Sequence, residues 1–587
     1  MGGAPLSPSS RTNYDDADRD WIFAADKLAR LRPYVFEVHA ESASGTIALS
    51  GSVVSEDIKD VIEEVFRDYD PDARLTNDIE VTAPFRSAEH DDDIGTAEAH
   101  PRQTVVVDRY PRFESGQQPS LGERFRFQVD LAQDANDQPP FRMELPHDWT
   151  TVSVDSQIIS AQLRFAEGAD RRKIVIERDG RSIAALFDGE VVGVTDDGLV
   201  EIQAVFNCRG RFSGIAKSSF KAVERREAQR EAPSAPAAIS IHPAATSPDL
   251  TIQILSVGAT KSWIWVLDAP KAKNLGKPGR SEVVDLGDAE SFATDLLKEC
   301  PDLQTGRHQG KLRGIGEKIW AATPETFRSL YADMRREFGP AFSIQIVTDE
   351  PHVPWEMMHP NAQSGIANPD HLFMTHPVSR WYASIKGRMW PSFAPGSVAS
   401  FVPVYEQGSR PALQAAIEEG RWLVSTLGAE AKDPTWKSFT TFWSTAMPDE
   451  RVAVLHFAGH GLNQPARIRL SDGYVSCDEV NGSVGLGVRD HPFVVLNACE
   501  TGGGDFRLGL VSGWAASLTT NEFGGVLAPL WRVEDECASQ VVRCYLGSFC
   551  KGVPIGVAML RARAAQRDAS ATPFAYVCHG DVNARLG

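Results

Sequence analysis

A chain of 587 residues has room for about three or four domains, and 42% hydrophobic with 24% charged residues is ordinary composition for a protein with a sizeable core. Its 79 acidic against 60 basic residues leave a formal charge of −19, which argues against general nucleic-acid or anionic-membrane binding, because both need a cationic surface. No run of about 20 apolar residues marks a membrane helix, Met1-Gly2-Gly3-Ala4 opens no signal peptide, and eight cysteines without a Cys-x-x-Cys pair fit a reducing cytoplasm without structural zinc.

Residues 1–14 read as disordered, and 15–31 as a helix with Trp21, Ile22, Ala25, Leu28 and Leu31 on or near one face. Residues 46–54 alternate as a strand, Ser55 is a good N-cap, and Ile58, Val61, Ile62, Val65 and Phe66 form an amphipathic helical stripe. A strand at 75–81 completes an α+β module over 15–84, whose run Gly45-Thr46-Ile47-Ala48-Leu49-Ser50-Gly51-Ser52-Val53 resembles a BON domain. That resemblance implies a protein-positioning or lipid-contact role. Residues 85–118, with His90-Asp91-Asp92-Asp93, read as an acidic linker around one strand at 104–107. Three adjacent aspartates without the glycine of a calcium loop make a poor metal site.

From 119 to 222 the period changes to two. Phe125, Phe127 and Val129 alternate with polar neighbours, and strands are expected at 141–145, 152–159, 162–165, 173–177, 182–187 and 199–208. Asp179-Gly180, Asp188-Gly189 and Asp197-Gly198 read as turns between them. The pattern predicts an antiparallel β-sandwich without a catalytic constellation, hence a docking module or a spacer. Residues 223–247, with Ala232-Pro233-Ser234-Ala235-Pro236, predict a semi-extended linker that would let the C-terminal domain move relative to the sandwich.

Residues 248–587 alternate strands and helices. Strands are expected at 250–257, 262–267, 342–347 and 401–404, and helices at 324–338 and 412–427, the pattern of an α/β domain. Two apolar runs then close on glycine: Val452 to Phe457 leads into Ala458-Gly459-His460-Gly461, and Phe493 to Leu496 into Asn497-Ala498-Cys499-Glu500-Thr501-Gly502. Such runs read as strands buried on both faces of a parallel sheet. Sites form at the carboxyl ends of such strands, so neighbouring strands would bring His460 and Cys499 together.

An imidazole could then take the thiol proton and return it to a leaving amine, while the N–H groups of Gly461 and Cys499 hold the oxyanion. Spacing alone leaves catalysis open, since buried cysteines are commonly inert. His456, inside the apolar strand, reads as structural.

His456-Phe457-Ala458-Gly459-His460-Gly461 with Leu496-Asn497-Ala498-Cys499-Glu500-Thr501-Gly502 resembles the CHAT family of caspase-like cysteine peptidases of clan CD. The runs from Leu312 to Trp320, Val353 to Met358, Gly524 to Trp531 with Asp535, and Pro573 to Gly580 fit the family pattern over roughly 250–587. The resemblance implies His460 as general base and Cys499 as nucleophile; separately, no phosphate-loop or dinucleotide motif and no metal-ligand spacing is present, so no cofactor or metal is expected. The resemblance also implies a protein substrate such as a pore-forming effector in prokaryotic defence, and an activating protein partner. In related metacaspases the residue two before the nucleophile is an aspartate that binds a basic substrate side chain; here it is Asn497, which predicts no strong basic preference. A silent scaffold or adaptor using the same fold, and a thiol hydrolase of non-peptide acyl groups, are the competing readings.

Overall fold

The computed structural model describes residues 35–43, 46–53, 74–81, 104–133, 141–147, 149–166, 168–178, 182–208, 211–222, 240–241, 246–256, 262–270, 272, 281–303, 306–340, 342–383, 388–405, 413–444, 451–463, 466–500 and 509–587. The helices expected at 15–31 and 58–66, the Asp179-Gly180 turn and the side chains of Cys499 and Glu500 lie outside this description.

In the N-terminal part, β1 (Val35–Ala43) pairs antiparallel with β2 (Thr46–Val53), and β3 (Arg74–Val81) joins β2 in parallel. A parallel return needs a crossover of a dozen or more residues, which 54–73 supplies. Strand β1 is absent from the sequence expectation because Glu37, His39, Glu41 and Ser42 dilute its apolar alternation.

The strands of the next region are β4 (Thr104–Glu114), β5 (Arg124–Ala132), β6 (Phe141–Pro146), β7 (Thr151–Ile159), β8 (Leu163–Arg164), β9 (Arg171–Glu177), β10 (Ala185–Val191), β11 (Leu199–Cys208), β12 (Arg211–Lys221) and β13 (Ser240–Ile241). They form one sheet in the order β13-β6-β4-β5-β10-β8 and another in the order β12-β11-β7-β9. Phe220 of the second sheet meets Phe125 of the first, edge on, at 5.2 Å, and Phe125, Phe127 and Phe187 line that core, each at most 1% exposed.

Three local expectations change. The strand expected at 104–107 is present but runs on to Glu114, an eleven-residue strand paired with both β5 and β6 where linker was expected; Asp108, Arg109 and Arg112 hide the extension in the sequence. Asp188-Gly189 is no turn but lies within β10, where Asp188 pairs with Arg126 at 3.1 Å. A Cβ on Gly189 would stand 2.9 Å from the Phe165 ring, so this glycine serves close packing rather than chain reversal. Ser240 and Ile241, expected in the linker, pair in parallel with β6.

The C-terminal sheet comprises β14 (Leu250–Ser256), β15 (Ser262–Asp268), β16 (Ser281–Asp285), β17 (Ile344–Thr348), β18 (Val378–Tyr382), β20 (Ser397–Phe401), β21 (Glu430–Lys432), β22 (Val452–Asn463), β23 (Ala466–Arg469), β24 (Tyr474–Ser476), β25 (Phe493–Glu500), β26 (Gly525–Pro529) and β27 (Tyr576–His579); β19 (Ser392–Phe393) and β28 (Arg585–Leu586) pair separately. The main order is β16-β15-β14-β17-β18-β27-β26-β25-β22-β20-β21. Strands β14, β17, β18 and β27 are mutually parallel, as are β26, β25, β22, β20 and β21, and the two groups meet antiparallel at β26–β27. Their carboxyl ends therefore emerge at opposite rims.

The other motif segments are core. Leu312, Ile315, Ile319 and Trp320 are the buried stripe of helix His308–Ala321. Trp355 is fully buried edge-on to Trp265 at 5.0 Å. Glu356 takes a bidentate ion pair from Arg380, at 2.8 and 2.7 Å, with both side chains almost fully buried. Buried charges need such pairing and hydrogen bonding to be tolerated.

The expected hinge at 223–247 does not separate two independent bodies. Ile159, Val205, Phe212 and Ile215 of the preceding sheets share one apolar cluster with Leu255, Val266, Val347 and Trp381. Around it Gln253 Nε2 donates to Asn207 Oδ1 at 2.7 Å, and Arg211 pairs with Asp581 at 2.7 Å, both buried. Desolvating that many apolar and paired charged groups fixes orientation in a way a Pro/Ala linker alone cannot.

Helix Glu325–Phe338 buries Phe327, Leu330, Tyr331 and Met334. Its Tyr331 hydroxyl donates to His376 Nε2 at 2.9 Å, while His376 Nδ1 donates to the Phe342 carbonyl at 3.1 Å. Burial, with Arg335 nearby, holds His376 down to about 3, from 6.5. A folded value below the unfolded one means that the stability is intact above pH 6.5 and is lost as pH falls towards 3, by on the order of 4 kcal/mol at the lower end. Melting temperature should therefore fall less steeply between about pH 6.5 and 4 in His376→Gln than in wild type; equal slopes would refute the assignment.

Candidate active site

Strand β22 does not stop at its glycines, and β25 continues beyond its apolar run. The first runs twelve residues to Asn463 and the second extends to Glu500, so His460 and Cys499 lie within the last turns of the ladder rather than in loops beyond it. Glycine permits the extended conformation as readily as a turn, and at Gly459 it is required by contact: a Cβ there would lie 2.6 Å from the Tyr405 hydroxyl.

The parallel register places His456 opposite Val495, His460 opposite Cys499 and Gly461 opposite Glu500. Adjacent strands lie about 4.8 Å apart, so the two candidate residues are backbone neighbours at one carboxyl rim. Gly461 also pairs with Ile468 of β23. Because strand backbone flanks it on both sides, its expected service as an oxyanion donor requires the β22–β23 hairpin to move aside.

His460 is 2% exposed. Its ring stacks on Tyr405 with centroids 4.6 Å apart, and its backbone N–H donates to the Tyr405 hydroxyl at 2.9 Å. That hydroxyl in turn donates to the Arg469 carbonyl at 3.0 Å, and the Arg469 guanidinium lies 4.9 Å from the Tyr405 ring. Tyr405 thus fixes both backbone and ring of His460 without any sequence motif to announce it.

On the same two strands sits a buried polar chain. His456, fully buried as its apolar strand predicts, has Nδ1 at 2.9 Å from Ser400 Oγ and donates from Nε2 to Glu419 Oε1 at 2.7 Å. The other Glu419 oxygen accepts from Asn497 Nδ2 at 2.8 Å, and Asn497 Oδ1 accepts from the Tyr576 hydroxyl at 2.7 Å. Burial raises the Glu419 carboxyl above its ordinary range, against the pull of His456 and Asn497.

Asn497, expected to meet substrate, is 8% exposed and has both ends of its amide engaged. Its geometry is that of a strut between Glu419 and Tyr576. Substituting the metacaspase aspartate, Asn497→Asp, would set a second carboxylate against Glu419, so one of the two must bind a proton. The variant is expected to be destabilised by about 2 kcal/mol or more, with a smaller penalty at pH 5 than at pH 8. Denaturant titrations at the two pH values measure this.

Sequence reasoning missed Glu419. The available signal was a lone acid in the buried stripe Ala416, Glu419, Leu423 of helix Gln414–Leu427. That helix is held at its start by Asp535, whose Oδ2 accepts from the Ala415 N–H at 3.1 Å. A groove of about 540 Å³ beside Trp320, Arg328 and Arg336 is lined by none of these residues. No helix among the described residues is long and apolar enough to cross a membrane.

No curated protein sequence matches the chain. Among solved structures it is similar to the Arg-specific cysteine proteinase gingipain R (RgpB), with 10% identity over 51% of this chain and 75% of that one and a TM-score of 0.31. It is also similar to the complex of Porphyromonas gingivalis RgpB pro- and mature domains, with 12% identity over 51% and 77% and a TM-score of 0.32. A third similarity is to the Saccharomyces cerevisiae separase–securin complex, with 9% identity over 56% of this chain and 30% of that one and a TM-score of 0.36. The family model of the CHAT domain matches residues 331–577, a segment that holds both the His460 and Cys499 strands but begins after the Leu312–Trp320 run.

Proposed function

We propose that the chain is a cysteine endopeptidase in which Cys499 is the nucleophile and His460 the general base. The observation that carries this reading is the register that sets the two residues opposite one another at a carboxyl rim within the CHAT match. His460 takes the thiol proton, and the thiolate attacks the scissile carbonyl carbon. The tetrahedral intermediate collapses as the imidazolium protonates the leaving amine, giving a thioester. Water, deprotonated by the imidazole, then releases the carboxylate product and regenerates the thiol.

The N–H groups of Gly461 and Cys499 hold the oxyanion once the hairpin at Gly461 has shifted. Dependence on that shift supports latency until an activating protein docks. Asn497 supplies no full negative charge, so a positional peptide library is expected to show no overwhelming Arg or Lys selection. The N-terminal BON-like module and the β-sheets after it serve as positioning elements, and the substrate is a partner protein, by family resemblance a pore-forming effector in defence.

Wild type and Cys499→Ala should be incubated with proteins encoded beside this chain and the products read by mass spectrometry for new termini. Fragments from wild type alone support the peptidase. Identical fragments from both remove Cys499 as nucleophile, while hydrolysis of thioester or ester probes without any protein cleavage assigns the acyl-hydrolase reading instead.

A further inference from the structure

His359, Asp370 and His371, none of them in the His460–Cys499 strands, cluster between the segment after Met358 and helix His308–Ala321. One ligand atom from each lies within 4.8 Å of the other two, and the imidazoles cross nearly at right angles with centroids 4.9 Å apart. His359 and His371 are 4% and 3% exposed.

The outer hydrogen bonds fix what each ring presents. His359 Nδ1 faces the Pro360 carbonyl at 2.9 Å and His371 Nε2 faces the Leu312 carbonyl at 3.0 Å. A carbonyl only accepts, so both of these nitrogens carry protons, and in the neutral rings the lone pairs fall to His359 Nε2 and His371 Nδ1. His371 Nδ1, however, faces Asp370 Oδ1 at 3.4 Å. A lone pair and a carboxylate oxygen at that separation repel unless a proton or a metal ion stands between them. Imidazoles that spend one N–H on a backbone carbonyl and keep the other nitrogen as a lone pair, in a cluster with a carboxylate, have the outer-shell arrangement of metal-bound histidine.

We propose that His359, Asp370 and His371 form a binding site for Zn²⁺, with water completing a tetrahedral shell. Bound ligand atoms would close to roughly 3.3 Å of one another from Zn–N and Zn–O lengths near 2.0–2.1 Å, a contraction that the half-buried Asp370 can absorb by rotating. Arg567 pairs with Asp370 Oδ2, while Oδ1 accepts the His371 backbone N–H at 2.9 Å and keeps a second lone pair for the ion; Arg313 is the other cation facing His359. Because the His359 backbone N–H also donates to the Gly316 carbonyl at 3.0 Å, the ion would tie helix His308–Ala321 to the loop after Met358.

The test needs no peptidase activity. The full chain is stripped with a chelator, its thiols are alkylated, and Co²⁺ is titrated while visible d–d absorption is monitored, with Zn²⁺ as competitor. The expected result is one saturable equivalent, displaced by Zn²⁺ and weakened at least about tenfold in Asp370→Asn and in His359→Gln. Both variants should keep the wild-type circular dichroism spectrum. Absence of saturable absorption, or binding that survives both substitutions, overturns the site. So does nitrogen NMR showing a proton on His371 Nδ1 that Zn²⁺ does not displace, because the Asp370–His371 contact is then an ordinary imidazolium–carboxylate pair.

Discussion

Cys499→Ala in the full chain is expected to abolish cleavage of the partner protein, by about 10⁴-fold or more, while leaving the melting temperature within about 2 °C of wild type. His460→Ala should lose a similar factor, and the double variant no more than either single one, because groups that act as one unit are not additive. Single-turnover cleavage read by gel or mass spectrometry checks all three. A double variant losing the product of the two single factors would mean that the residues act in separate steps, and the register of β22 and β25 would then have no catalytic meaning. His460→Ala also vacates the face on which Tyr405 stacks, so Tyr405→Phe is the appropriate control. It keeps the ring and removes the acceptor for the His460 N–H, and should weaken the rim by about 1 kcal/mol without a comparable loss of rate.

The largest effect on stability is expected at Glu419. Removing its carboxylate in Glu419→Ala strands His456 Nε2 and Asn497 Nδ2 in a region from which water is excluded. Breaking a buried charged contact on one side costs about 3–5 kcal/mol. Glu419→Gln is expected to cost much less, about 1–2 kcal/mol: its oxygen accepts from Asn497, its NH₂ donates to His456 Nε2, and His456 gives its proton to Ser400 instead. The variants differ in pH dependence too. Because burial raises the Glu419 carboxyl, the stability held by its protonated form is present at low pH and lost as pH rises through the folded value, and Glu419→Gln lacks that loss. Denaturant midpoints of the C-terminal transition would decide; an alanine variant within about 0.5 kcal/mol of wild type would show that the chain of contacts carries no weight.

These two expectations also mark where sequence reasoning succeeds and fails. The strands carrying His460 and Cys499 were legible because Val452–Phe457 and Phe493–Leu496 are continuous apolar runs, and their adjacency stems from how parallel sheets place sites. The stripe of helix Glu325–Phe338 was legible for the same reason, since burial writes itself into local periodicity. Glu419 was not, because its partners His456 and Asn497 stand 37 and 78 residues away, and the one local sign, an acid within an apolar helical stripe, does not say what it pairs with. Residues 108–114 were misread because Asp108, Arg109 and Pro111 resemble linker composition, although Arg109 is 4% exposed. Asp188-Gly189 was misread because a glycine needed to admit the Phe165 ring looks the same as one needed for a reversal. Pairing over long separations and close approach of backbones are properties of the assembled fold, and single-residue preferences do not carry them.

The apolar cluster around Leu255, Val266, Val347 and Trp381 has a practical corollary. A truncated protein starting at residue 248, the natural choice if the Pro/Ala stretch marked a boundary, would bare this greasy flank and leave Asp581 and Gln253 without Arg211 and Asn207. Such a fragment is expected to aggregate on expression, whereas one starting near residue 104 keeps its cover. If the chain is the latent peptidase proposed above, its release is expected to act at the Gly461 hairpin rather than by casting off the strands that precede residue 248, which this interface holds in place.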